Sequence, residues 1–157
     1  MEESANVEQV DRDAVELCKW AAARAGVIVV VPFVGSVALI ANEVYMISRI
    51  SQLHGKELSE GTILGFLGGF LGTVAGQTLT TLIPFAPVQI PVGMGVTYAL
   101  GIAAHEWIKA GCPNDLSAFE KVYNRAKREA KDLVPLLKKH PQKDVPLGDE
   151  NKKYAVK

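Results

Sequence analysis

The stretch GTILGFLGGFLGTVAGQTLTTLI, residues 61–83, decides how the rest of the chain is read. It contains Gly65, Gly68, Gly69, Gly72 and Gly76, and no charged residue. The uncharged run continues to Ala104, 44 residues without Asp, Glu, Lys, Arg or His. Ser59 stands ahead of it as a helix N-cap, and the spacing predicts a helix from there to about Ile83. Gly68, Gly72 and Gly76 recur every four residues and so share one stripe of that helix. Each glycine costs about 1 kcal/mol of helix propensity relative to alanine. A helix tolerates that cost where a second backbone must approach closely, as small residues allow within lipid. The expected role of Gly65, Gly68, Gly69, Gly72 and Gly76 is therefore helix packing.

Pro84, Pro87 and Pro91 interrupt the run and are expected to form the tip of a helical hairpin. A returning helix is expected from about Val92 to Lys109, stopped near Gly111, with Gly93, Ala99, Ala103 and Ala104 keeping it slim. The hairpin then occupies residues 59–110. Its first arm, 61–83, is long enough to cross a hydrocarbon core of about 30 Å at 1.5 Å per residue. The second, 88–104, is marginal, so a full span and a re-entrant hairpin both remain open.

Outward from this centre the chain is amphipathic. Val7, Val10, Ala14, Leu17, Cys18 and Ala21 recur at steps of three and four, predicting a helix over 5–25 with acids opposite. Val31-Pro32 should break it. A second helix is expected from Ser36 to Leu53, with Gly55 as its C-terminal stop. Near the other end, Ser117 and Glu120 have capping-box spacing. Leu116, Phe119, Tyr123, Ala126, Ala130, Leu133 and Leu137 then form an apolar stripe, with Lys121, Arg125, Arg128 and Lys139 opposite, and Pro135 is expected to kink the last turn. From His140 the chain is polar and proline-interrupted, which predicts a disordered tail over 141–157. The fold class expected is all-α: one domain, 1–140, a helical bundle with a central glycine-rich hydrophobic hairpin flanked by amphipathic helices.

Charge divides by position. Residues 1–20 carry a net −4 and residues 121–143 a net +6, within a chain of zero formal net charge. The neutral total gives no reason to expect a nucleic-acid partner. The basic segment suits anionic lipid headgroups or an acidic partner, and pairing between the terminal helices is the plainer alternative. Lys121, Arg125, Arg128 and Lys139 are thus the candidate lipid- or partner-binding residues.

No catalytic constellation is legible. There is no phosphate loop, and GFLGGF at 65–70 follows no strand, so it is not a dinucleotide fingerprint. Cys18 and Cys112 have no metal-ligand spacing. His54, His105 and His140 lie far apart in sequence, and neighbours such as His105 and Glu106 point to different helix faces. No cofactor and no metal are expected, and the chain is read as a non-enzyme. Its acidic N-terminus is the reverse of a secretory signal.

The segments Val31-Pro32-Phe33-Val34, Met46-Ile47-Ser48-Arg49-Ile50-Ser51-Gln52-Leu53-His54-Gly55, Leu82-Ile83-Pro84 and Tyr98-Ala99-Leu100-Gly101-Ile102-Ala103-Ala104 carry a likeness. In their order and spacing the chain resembles the YcjF-like domains (domain of unknown function 697). These occur in bacteria beside or fused to Era-type GTPase domains. The resemblance covers about half the chain and supplies no catalytic residues. It implies a membrane module, at the bacterial inner membrane with cytoplasmic termini, whose GTPase would be a separate chain. Three functions follow as expectations. The first is a non-catalytic membrane-associated scaffold that oligomerises and recruits a partner such as a GTPase. The others are a self-assembling membrane pore, with Thr73, Gln77, Thr80 and Thr81 facing the lumen, and a soluble helical interaction protein.

Overall fold

The computed structural model describes residues 2–30, 35–73 and 89–154. Over these the chain is all-α. Its helices are α1 (Glu2–Ile28), α2 (Gly35–Leu53), α3 (Glu60–Thr73), α4 (Gln89–Lys109) and α5 (Glu120–Leu137), with a short 3-10 turn at Ser117–Phe119. Most of the expected hairpin tip, with Pro84 and Pro87, and the second half of the first hairpin arm, including Gly76, lie outside the described residues.

The helix ends follow local chemistry. Ser59 caps α3, its Oγ accepting the backbone N–H of Thr62 at 3.1 Å. Gly55 (φ +68) and Gly111 (φ +88) end α2 and α4 in the left-handed region. At each, two reversed bonds close the terminus: Lys56 N–H to Ser51 O and Gly55 N–H to Gln52 O, then Cys112 N–H to Trp107 O and Gly111 N–H to Ile108 O. This is the pattern that satisfies orphan carbonyls at a helix end.

Two local expectations are corrected. Pro91 sits inside α4, as its third residue, where the N–H that proline lacks would have no intrahelical acceptor. The capping box at Ser117 does not form. Asp115 Oδ1 accepts both the Ser117 N–H (3.0 Å) and its hydroxyl (2.6 Å), and α5 begins at Glu120 with no side-chain cap. Those two bonds hold the Asp115 carboxyl below its usual range. A carboxylate two residues away is the stronger acceptor and takes the hydroxyl first. Past Pro135 the helix continues to Leu137.

The centre of the bundle is α4, which contacts α1, α2 and α5. Small residues let the backbones close in: Ala14, Cys18, Ala21, Ala22 and Ala25 on α1, and Ala99, Ala103 and Ala104 on α4, are all fully buried. At Gly101 a Cβ would stand 2.5 Å from Cys18 Sγ and 2.8 Å from Met46 Sδ, so three helices meet where no side chain fits. By contrast α3 is held off by large rings. Phe66 stacks on Trp107 (centroids 4.4 Å) and Phe70 meets Tyr123 edge-on (5.3 Å).

Residues 141–154 do not form the free tail that their composition suggests. They lie as a strap across α1 and α2. Trp20 Nε1 donates to Gln142 O and Val145 O, Arg49 Nε to Leu147 O, and Arg24 Nη1 to Lys143 O. Arg24 also forms a two-pronged ion pair with Glu150, both largely buried. Leu147 is 2% exposed, and Lys152 reaches Glu60 at the start of α3.

Candidate functional site

Two outward faces hold the residues singled out in the sequence. The first is on α3. Its buried side consists of Ile63, Phe66, Leu67, Phe70 and Leu71. The period of 3.6 then turns Gly61, Gly65, Gly68 and Gly72 outward, where all four are exposed. A Cβ built on Gly65, Gly68 or Gly72 meets nothing within 4 Å; on Gly69 it touches only Leu116 Cδ1, at 3.3 Å. Among the described residues nothing packs on the glycine stripe, and it does not lie against the described part of α4 as a tight hairpin would have it. Gly76 and three of the expected lumen residues, Gln77, Thr80 and Thr81, are outside the described residues. Among the described residues no helix is long and apolar enough to cross a membrane.

The second face is on α5. Tyr123, Ala126, Ala130 and Leu137 are buried against the bundle, while Lys121, Arg125 and Arg128, and Lys139 in the turn just past the helix, are exposed. Arg125 has a loose pairing with Glu129 at 3.8 Å. The helix thus offers cations outward, while its apolar stripe packs against the bundle. Exposed acids Glu2, Glu3, Glu8 and Glu16 line α1. Among the described residues no ion pair joins α1 to α5. Arg12 and Lys19 pair within α1, and Asp11 pairs with Lys109 of α4 at 3.4 Å.

Between the N-terminal turns of α1 and the end of α2 lies a cleft of about 520 Å³, lined by residues that include Val7, Val10, Asp11, Leu53, His54 and Lys109. His54 lies with its ring 5.0 Å from that of His105 on α4, and His105 Nε2 is 3.3 Å from Asp11 Oδ1. Burial pushes both histidines below their ordinary pKa. His105 is pushed down further by His54, and Asp11 pulls each the other way. Both rings are therefore neutral at pH 7. No local sequence signal announces this pair, because its members stand on helices far apart in the chain. No group of three His, Cys, Asp or Glu among the described residues is placed to hold a metal ion. Cys18 is fully buried, and burial raises its thiol pKa far above normal, so it stays protonated and inert.

No family model and no solved structure matches the chain. It is similar to a curated protein, magnetosome membrane protein 22 of Magnetospirillum gryphiswaldense. The two are 39% identical over 94 aligned positions, covering 51% of this chain and 48% of that protein. The chain thus spans about half the length of the curated relative it matches.

Proposed function

We propose that this chain is a non-catalytic helical scaffold held at a membrane, where copies assemble and recruit a partner. The observation that carries the reading is the outward face of α3. Gly61, Gly65, Gly68 and Gly72 leave its backbone bare within a run free of charge from Gly61 to Ala104. A surface of that kind, without charge and with none of the described residues upon it, suits close approach to lipid or to another small-residue helix. Likeness to a protein named for a membrane supports the setting. The basic face of α5 adds attraction to anionic headgroups of about 1 kcal/mol per lysine or arginine near the surface. The resemblance to YcjF-like domains makes a GTPase on a separate chain the partner to seek, and the bacterial inner membrane the place to seek it.

Substitution on α3 tests this, because no described residue within 4 Å opposes a side chain at Gly68 or Gly72. The doubly substituted Gly68→Lys/Gly72→Lys chain should fold and melt no lower than the parent, yet leave the membrane fraction and fail to float with liposomes. Equal flotation of parent and variant removes α3 from the account. A parent chain that never associates with liposomes of any composition removes the membrane.

A further inference from the structure

The strap over α1 and α2 is recognised in a way that does not depend on its being joined to the same chain. Three donors of the bundle make four hydrogen bonds to main-chain carbonyls of the strap: Trp20 Nε1 to residues 142 and 145, Arg24 to 143, and Arg49 to 147. Three strap positions then select the sequence. Leu147 is buried. Gly148 lies so close over the Tyr45 ring that a Cβ would stand 2.5 Å from Cγ and Cδ1. Glu150 grips Arg24, with Nη2 2.6 Å from Oε2. Arg49 also covers the Trp20 ring at 5.0 Å. A surface of Trp, Tyr and two Arg, reading carbonyls along a segment of successive turns, has the composition of a peptide-docking site.

We propose that this surface is a docking site and that its partner is the same segment, residues 141–154, of a second copy of the chain. The occupant's chemistry is already on the page, since a second copy brings the same Leu147, Gly148 and Glu150. The strap has one deeply buried apolar anchor, Leu147, so its release is a local opening well below global unfolding. The turn joining it to α5 is flanked by Leu136 (68% exposed) and Val145 (47% exposed), apolar surface that an exchanged pair has available to cover. Exchange of identical elements between protomers is a low-cost route to a dimer. It is favoured wherever copies are concentrated, because the competition is between local and neighbouring straps.

Charge reversal in the full-length protein tests this. Arg24→Glu sets two acids together at the seat, and Glu150→Arg sets two bases together. Each variant alone should be monomeric, with its strap cut by thermolysin, which reads apolar residues and not the exchanged charges, at least about tenfold faster than in the parent. Mixed in equal amounts they should form a one-to-one dimer, because each strap then finds an opposite charge in the other chain's seat. The chain carrying both substitutions should close on itself and regain protease resistance. A mixture that stays monomeric while the doubly substituted chain is protected overturns exchange and leaves the strap a structural closure only. Should either single variant fail to fold, the parent chain still decides the matter. Zero-length crosslinking of Lys152 to Glu60 in a mixture of 14N- and 15N-labelled chains should yield hybrid-mass products. Same-isotope products alone overturn the proposal.

Discussion

Replacing Glu43 by glutamine should make the protein more stable at neutral pH and remove a large part of its pH dependence. Glu43 sits on α2, 1% exposed, and its Oε1 accepts a hydrogen bond from Thr97 Oγ1 on α4 at 2.5 Å. Its Oε2 meets no donor among the described residues. Burial raises the carboxyl pKa from 4.5 to about 7, and the Thr97 bond restrains the rise. The unfolded chain ionises this group near 4.5, while the folded chain holds its proton up to about 7. Its contribution is therefore fully present below pH 4.5, falls as pH rises between the two values, and is lost above 7. Each pH unit in that window costs about 1.4 kcal/mol, so the loss reaches about 3 kcal/mol by pH 7.5. Glutamine matches the protonated carboxyl in shape and keeps an acceptor for Thr97, but it does not titrate. Thermal denaturation of parent and Glu43→Gln should agree near pH 4.5 and diverge as pH rises, the variant melting roughly 6–12 °C higher at pH 7.5. The titrations of His54 and His105 are common to both proteins and cancel in the difference. Parallel curves over pH 4.5–7.5 would refute the reasoning.

Other substitutions separate packing from capping and charge. Gly101→Ala should lower the melting temperature by an amount worth about 1–3 kcal/mol, since Cys18 and Met46 occupy the space of its methyl group. Gly65→Ala, on the open face of α3, should raise stability by up to about 1 kcal/mol in the same denaturation assay. Ser59→Ala should cost about 1 kcal/mol, measured by urea unfolding, while Ser117→Ala costs clearly less because Ser117 caps no helix. Joint replacement of Lys121, Arg125 and Arg128 by glutamine should weaken binding to anionic liposomes and flatten its salt dependence. Unchanged affinity and unchanged salt response would take α5 out of any lipid contact.

What the sequence disclosed was local. The apolar steps of α1 from Val10 onward and of α5, the stops at Gly55 and Gly111 and the cap at Ser59 each involve groups within five residues of one another and stand where expected, while Val7 at the head of the α1 stripe is exposed. The glycine stripe was visible as a stripe, but its orientation was not. Whether Gly68 and Gly72 face a neighbour depends on where Phe66 and Phe70 find partners, and these are Trp107 and Tyr123, far along the chain. The meeting of His54 with His105 is non-local in the same way. The strap was misjudged because it has no period to detect. It is held by single anchors such as Arg24 and Trp20, more than a hundred residues away, and polar, proline-interrupted composition looks the same whether or not such anchors exist. At Ser117 the misleading signal was itself local: the right spacing for a cap, defeated by a better acceptor two residues earlier.

The central place of α4 has a consequence for the order in which the protein comes into being. The alanine-rich side of α1 is covered mainly by α4, whose first residue lies about sixty positions downstream. At a synthesis rate of about 5–20 residues per second, α1 and α2 leave the ribosome several seconds before their common partner exists. During that interval their apolar sides have only each other, and the nascent chain is at its stickiest just as its uncharged run begins to emerge.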